Sequence, residues 1–203
     1  MEGIAVNIRT DDKNQNQATY HPTVWRTCRI LANPNRLRCL KVVLEEPASA
    51  VGEIAERTHV SVCRASECLR ALQARGLIQA KRKSRWVRYT AIPDPLVAGS
   101  RHLLTALRRI LLKEHQKEAA VMRTLTAFTH PRRLAILSLL QKRSPLYSED
   151  IAAITRVSQC AFSRHARKLK VRGLLDYNSG KWSLRQPIDT LARTLLSLIT
   201  TPI

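Results

Sequence analysis

The chain matches itself. At an offset of about 97 residues, the stretch from near Arg26 to near Ile78 aligns without a gap to a later one. Leu31-Ala-Asn-Pro34-Asn-Arg36-Leu37 falls on Phe128-Thr-His-Pro131-Arg-Arg133-Leu134. Glu53-Ile54-Ala55 falls on Asp150-Ile151-Ala152, and Arg75-Gly76-Leu77 on Arg172-Gly173-Leu174. Thr58, Val60, Ser61, Cys63 and Ser66 meet Thr155, Val157, Ser158, Cys160 and Ser163. Roughly a third of the aligned positions are identical, which chance does not produce over such a span. Whatever one copy folds into, the other must fold into as well. A chain of 203 residues has room for two such units.

Each copy reads alike. Pro34 and Pro131 suit a first helical position, where the missing N–H is no loss. Leu37, Leu40 and Val43, and likewise Leu134, Leu137 and Leu140, then recur at helical spacing. A short helix is predicted around Glu53–Arg57 and Asp150–Thr155, with acids in its first turn where the helix dipole favours them. Ser61 and Ser158 are good N-caps for a further helix, and Gly76 and Gly173 end it as left-handed C-caps. The period then changes. Leu77–Lys81 and Trp86–Thr90 read as strands joined by the basic turn Arg82-Lys83-Ser84-Arg85. In the second copy Leu174–Tyr177 and Lys181–Leu184 flank Asn178-Ser179-Gly180, a hairpin turn. Trp86 and Trp182 are taken as equivalent wing residues that pack the wing on its own domain. The succession is the winged helix-turn-helix plan. The expected fold is therefore mostly α with short β-hairpin wings, a tandem duplicated winged helix-turn-helix. Between the copies, after Pro93-Asp94-Pro95, a long helical stretch is expected from Leu96 to about Ala127. Leu191–Ile199 is a shorter equivalent at the end. The expected division is a disordered polar arm over 1–20, copy one over 21–93, a linking helix over 94–121, and copy two with its C-terminal helix over 122–203.

Charge points to a partner. Lys and Arg number 35 against 15 acids, a formal charge of +20 with a pI near 10.9. Such an excess is costly through self-repulsion, and a polyanion explains it. Nucleic acid comes first and an anionic membrane surface second. No apolar run approaches the ~18–20 residues of a membrane span, and the N-terminus has no secretory pattern. The five Cys form no CxxC or CxC pair, which argues against a disulfide framework and suits a reducing cytoplasm.

The second copy's Val157-Ser-Gln-Cys-Ala-Phe-Ser163-Arg-His165-Ala-Arg-Lys-Leu169-Lys-Val-Arg-Gly173-Leu-Leu resembles the recognition-helix signature of ArsR-family regulators. So does the Pro-x-Arg-Leu-x-x-Leu opening of both copies. The resemblance covers about 180 residues, counted as two units of family length. It implies a winged-helix transcriptional repressor. Members of that family are usually single-unit homodimers, and this chain departs from them by fusing two units.

A helical wheel sorts the reading helices. Ala65, Leu69 and Leu72, and likewise Phe162, Ala166 and Leu169, form core faces. The opposite faces are assigned to DNA: Cys63, Arg64, Glu67 and Arg70 with Ser66 at the edge, and Cys160, Arg164 and Arg167 with Ser163 at the edge. Val62 and Gln159 lie near the N-terminal ends, which meet base edges. Arg164 suits a guanine and Gln159 an adenine. Glu67 either accepts from a cytosine amine or pairs with Arg64, Arg70 or Arg26. Copy one concentrates charge in its wing at Lys81, Arg82, Lys83, Arg85 and Arg88, and copy two contributes Lys181. Wings track phosphate, so these contacts position more than they specify.

Other chemistries find little material. His115 and Glu118 have an i, i+3 spacing that suits zinc, but the Asp-x-His partner of metal-sensing relatives is replaced by Ser100-Arg101-His102. Cys28 and Cys39 align with Leu125 and Ile136 and are read as core thiols. Six Gly leave little for a phosphate loop, and no nucleophile elbow or carboxylate pair is present. No metal, no cofactor and no enzymatic activity are expected. The expected function is that of a sequence-specific double-stranded-DNA-binding transcriptional regulator, a repressor whose two units act as a covalent pseudo-dimer. A cytoplasmic, nucleoid-associated location in a prokaryote goes with it. A tandem winged-helix replication initiator or an architectural DNA-binding protein is the alternative, and RNA binding through the same fold is a third reading. Homodimerisation through the linker or terminal helices is left open.

Overall fold

The computed structural model describes residues 22–83, 86–187 and 189–200. The arm expected over 1–20 and the wing residue Arg85 lie outside them. The chain builds α1 (Pro22–Leu31), α2 (Pro34–Glu45), β1 (Ser49–Ala50), α3 (Val51–Thr58), α4 (Val62–Gln73), β2 (Gln79–Lys83), β3 (Trp86–Thr90) and α5 (Ser100–Arg108). It then builds α6 (Glu118–Ala127), α7 (Pro131–Lys142), β4 (Leu146–Tyr147), α8 (Ser148–Ile154), α9 (Gln159–Val171), β5 (Leu175–Asn178), β6 (Lys181–Leu184) and α10 (Thr190–Thr200). The second set repeats the order of the first, and the two sheets, β1-β3-β2 and β4-β6-β5, have the same antiparallel topology.

Local chemistry explains the repetition. Pro34 and Pro131 start their helices behind the N-caps Asn33 and His130, which accept from Arg36 N and Arg132 N. Ser61 and Ser158 cap α4 and α9 by accepting from Arg64 N and Ala161 N. Buried Thr58 and Thr155 donate back to Ile54 O and Ile151 O at 2.7 and 2.6 Å. The chain then turns through His59 (φ 54°) and Arg156 (φ 53°), one residue each in the left-handed region. Gly76 and Gly173 close the turns after α4 and α9 at φ 64° and 77°, in the left-handed region expected of them. At Gly76 a side chain would also strike Val97 and Asp94.

The structure differs from the sequence-based expectation at four points. The two-residue strands β1 and β4 were not foreseen, being too short to show a period. Arg82 and Lys83 belong to β2 rather than to a turn, paired opposite Val87 and Trp86. Trp86 and Trp182 are not equivalent. Ser49 faces Tyr89 and its counterpart Leu146 faces Trp182, so Tyr89 matches Trp182. Trp182 packs edge-on against Phe162 at 5.9 Å and donates to Ser148 Oγ, whereas Trp86 is 54% exposed. Finally, the helix expected from Leu96 to Ala127 is broken. α5 passes into a π-helical turn at Arg109–Lys113, and the chain bends before α6 with His115 at φ 46°.

That bend lets like meet like. α1 packs on α6, its own counterpart, and α5 packs on α10, its counterpart after the wing. α2 meets α6 as α7 meets α1, and the π-turn meets α2 as α10 meets α7. Leu103, Leu107 and Ile110 from one half and Leu191, Leu195 and Ile199 from the other are almost fully buried in a single core that spans both halves. The packing is reciprocal, each of these contacts being matched by one between the corresponding elements. Arg38 of α2 adds an ion pair to Glu118 of α6 at 2.9 Å.

Candidate nucleic-acid interface

Helices α4 and α9 are each held by an inner face. On α4, Ala65, Cys68, Leu69 and Leu72 are buried; on α9, Ala161, Phe162, Ala166 and Leu169 are. The outer faces expose Cys63, Arg64, Glu67 and Arg70 on α4, and Gln159, Cys160, Ser163, Arg164 and Arg167 on α9, with Ser66 half-buried. Val62, at the α4 N-terminus, is 55% exposed.

The two faces differ in charge pairing. Arg64 donates to Glu67 Oε2 at 3.0 Å, so the carboxylate on the α4 face is already partnered, and it raises the Arg64 pKa. Of the three partners considered for Glu67, Arg64 is the one present, while Arg26 lies over the Trp25 ring at 5.4 Å. On α9, neither Arg164 nor Arg167 has an ion pair among the described residues. Ser163 Oγ donates to Gln159 O, satisfying a hydroxyl that would otherwise seek a partner outside.

The wings also sort themselves. Arg88 turns back into its own unit, donating to Ala48 O and to both Glu53 oxygens at 3.0 and 3.2 Å. Glu53 in turn accepts from Ala50 N, and these contacts hold its carboxyl below the usual range. Arg88 therefore clamps β3 to α3 and leaves the outward set of basic wing residues. Lys181 is half-buried with Nζ 4.7 Å from the Tyr147 ring, and Lys170 lies over Tyr177. The β5–β6 turn has Ser179 and Gly180 both at positive φ, the geometry of a two-residue hairpin loop.

Behind α9 sits a pair unique to the second half. His165 and His130 rings lie 4.6 Å apart. Burial and the surrounding His130, Arg133, Lys168 and Arg132 push His165 down to about 4, and burial with Arg133, Arg132, Lys168 and Arg29 lowers His130. Cys68 occupies the place of His165 in the first half, beside Cys39; burial and then the neighbouring Cys68 raise the Cys39 thiol to about 12. The Cys28 thiol is raised by burial as well, as a core thiol should be. His115 lies in the bend rather than on a helix, and Glu118 is held by Arg38, so the spacing considered for zinc does not form. Among the described residues no group of three or more His, Cys, Asp or Glu is placed to hold a metal ion, and no helix is long and apolar enough to cross a membrane.

Residues 130–177, from the cap of α7 into β5, match the model of the bacterial regulatory protein, arsR family. This stretch contains α9, whose Arg164 and Arg167 have no ion pair among the described residues. Among solved structures, a homodimeric winged helix-turn-helix DNA-binding domain from Mycobacterium bovis, a possible ArsR-family transcriptional regulator, is 28% identical. The match covers 55% of this chain and 98% of that one, with a TM-score of 0.37. A search of curated proteins gives no match.

Two further basic features accompany this segment and its counterpart, neither of them among the residues expected from the sequence. Arg156, in the turn before α9, adds an exposed cation beside that helix, and its signal was the alignment with His59. The other is a cluster of arginines in the first half, Arg26, Arg29, Arg36 and Arg75, spread along the sequence and gathered only by the fold.

Proposed function

We propose that the chain is a sequence-specific double-stranded-DNA-binding transcriptional regulator that represses by occupying a promoter, its two winged units acting as a covalent pseudo-dimer. The observation that carries this is the reciprocal packing of α1 on α6 and α5 on α10, with an exposed basic reading face on each half. A homodimer obtains two reading helices by symmetry; here one chain supplies both. Gln159, Cys160, Arg164 and Arg167 form the base-reading set of the second half, with Ser163 at the margin. Cys63, Arg64, Ser66, Glu67 and Arg70 form the weaker set of the first. Arg82, Lys83, Arg85 and Lys181 follow phosphate. The charge of +20 supports polyanion binding in general, and the ArsR-like segment supports duplex DNA in particular.

Two unlike reading helices require two unlike half-sites. Selection of bound duplexes from a random pool, followed by footprinting, is expected to return a non-palindromic site with half-sites about one helical turn apart. A protected region of a single half-site, or a perfect palindrome bound by two chains, would sink the pseudo-dimer. A promoter fusion carrying the selected site should lose expression when the protein is supplied; a rise in expression would make the protein an activator.

A further inference from the structure

The two halves treat the same four positions differently. In the second half, Arg172 Nε donates to Thr126 Oγ1 at 2.9 Å, and Arg123 donates to Val171 O. Arg133 is buried and donates to Ala127 O, Thr126 O and Thr129 Oγ1. Every one of these guanidinium groups has an acceptor within its own unit. The counterparts in the first half are Arg75, Arg26 and Arg36, and the position of Thr126 is taken by Arg29. The hydroxyl that accepts from Arg172 is thereby replaced by a fourth guanidinium. Arg75 Nε is buried without a hydrogen-bond partner. Arg36 has only a 3.5 Å contact to Ile30 O, and Arg26 stacks on Trp25. None of the four has an ion pair among the described residues.

These groups line an open concavity of about 300 Å³ with Trp25 and Ile30 and no carboxylate. Four like charges and an orphaned donor in one concavity are unfavourable unless an anion joins them. Guanidinium forks match phosphate oxygens two at a time, and the volume is that of a small-ligand pocket. The cluster lies at the C-terminal end of α4. At 1.5 Å per residue it is about 20 Å from the N-terminal end expected to meet base edges.

We propose that this pocket of the first half binds a small, multiply charged phosphate-bearing anion. The proposal stands independently of DNA binding, since it concerns the protein alone. Calorimetric titration of the full chain with inorganic pyrophosphate in 0.3 M salt tests it. One saturable site is expected. Arg29→Thr, which restores the acceptor found in the second half, is expected to lower affinity at least tenfold. Arg29 is exposed, so the variant should fold, and Arg26→Gln, also at an exposed position, should act in the same direction. Arg164→Ala should leave pyrophosphate binding unchanged. Absence of saturable binding at millimolar pyrophosphate would overturn the proposal. So would equal binding by Arg29→Thr and wild type, which would mark general attraction to a basic surface. Weakened DNA binding by Arg29→Thr without pyrophosphate binding would also overturn it, because the cluster would then be a DNA backbone contact.

Discussion

The two halves share one backbone plan and differ in what they place on it. In the second half, Phe162 on the inner face of α9 meets Trp182 edge-on, and His165 fills the space beside His130. In the first, the same three positions hold Ala65, Tyr89 and Cys68, a smaller set under a smaller ring. Outside, α9 carries arginines with no acid, while α4 carries Glu67 joined to Arg64. The first half instead gathers four arginines around a concavity. Caps, turns and sheet register are held in common because they set backbone geometry. Side chains that face outward or fill a local gap differ between the halves, and on them rest the two proposed roles, base reading in the second half and anion binding in the first.

The largest expected break in that comparison is Phe162→Ala. Phe162 is 1% exposed, and truncating a buried phenylalanine costs about 3–5 kcal/mol. The variant would give the second half the residue that the first already has at Ala65, but without Tyr89 in place of Trp182. Urea denaturation followed by Trp182 emission, with Trp25 and Trp86 replaced, should show the second half melting well before wild type. A midpoint within experimental error of wild type would mean that Ala is tolerated in both halves, and that the aromatic pair contributes little.

Much of this was legible in the sequence because it rests on local chemistry. Pro34, Pro131, Ser61, Ser158, Gly76 and Gly173 each do a job defined within four or five residues. What was not legible depends on distance. β1 and β4 are two residues long and exist only because β3 and β6 lie alongside. The equivalence of Trp182 with Tyr89 follows from wing length: the β2–β3 strands have five residues each and β5–β6 four, so counting along the chain misaligns them. Arg88 reads as a basic wing residue until Glu53, 35 positions away, is seen to hold it. The arginine cluster draws on α1, the start of α2 and the end of α4, and nothing in their spacing announces that they meet.

Base reading should separate from phosphate tracking. Arg164→Ala is expected to cost about 1–3 kcal/mol at the preferred site and to relax preference at one base position. Neutralising Arg82, Lys83 and Arg85 together should weaken binding to all sequences alike and flatten the dependence of log K on log salt by up to about three. Titrations of matched and randomised duplexes at several salt concentrations distinguish the two patterns. If Arg164→Ala leaves the selected sequence unchanged, the second half is not the reader and the division of labour fails.

Acid should act on one half more than the other. His165 stays neutral in the folded chain down to about pH 4, against an ordinary value of 6.5. Between those values the unfolded chain binds a proton that the folded chain does not, so stability falls as pH drops through that window and is fully retained above it. Arg132, Arg133 and Lys168, with His130, face the ring and oppose its protonation. The half-exposed setting limits the effect to the order of 1 kcal/mol. Unit one has Cys68 there and lacks this dependence. Hydrogen exchange at pH 5 and 7.5 should show α9 loosening on acidification more than α4, and His165→Gln should remove the difference. Equal loosening of both helices in wild type would place the acid sensitivity elsewhere.

The smallest expected effect is also the one that bears on why the halves differ. Glu67 occupies the position of Arg164 and holds Arg64 through an exposed pair, which contributes little to stability. Its effect should therefore appear on DNA rather than in folding. Glu67→Gln removes a charge that repels phosphate and frees Arg64 to contact the backbone. Binding to random duplexes is expected to tighten a few-fold, with the salt dependence steepening by up to about one. If Glu67 instead accepts from a cytosine amine, the same variant weakens binding to the selected site and leaves random duplexes unaffected. Both results come from a single pair of titrations. The first makes the acid a brake on non-specific binding in the weaker half; the second makes α4 a reader in its own right and the halves more alike than their charges suggest.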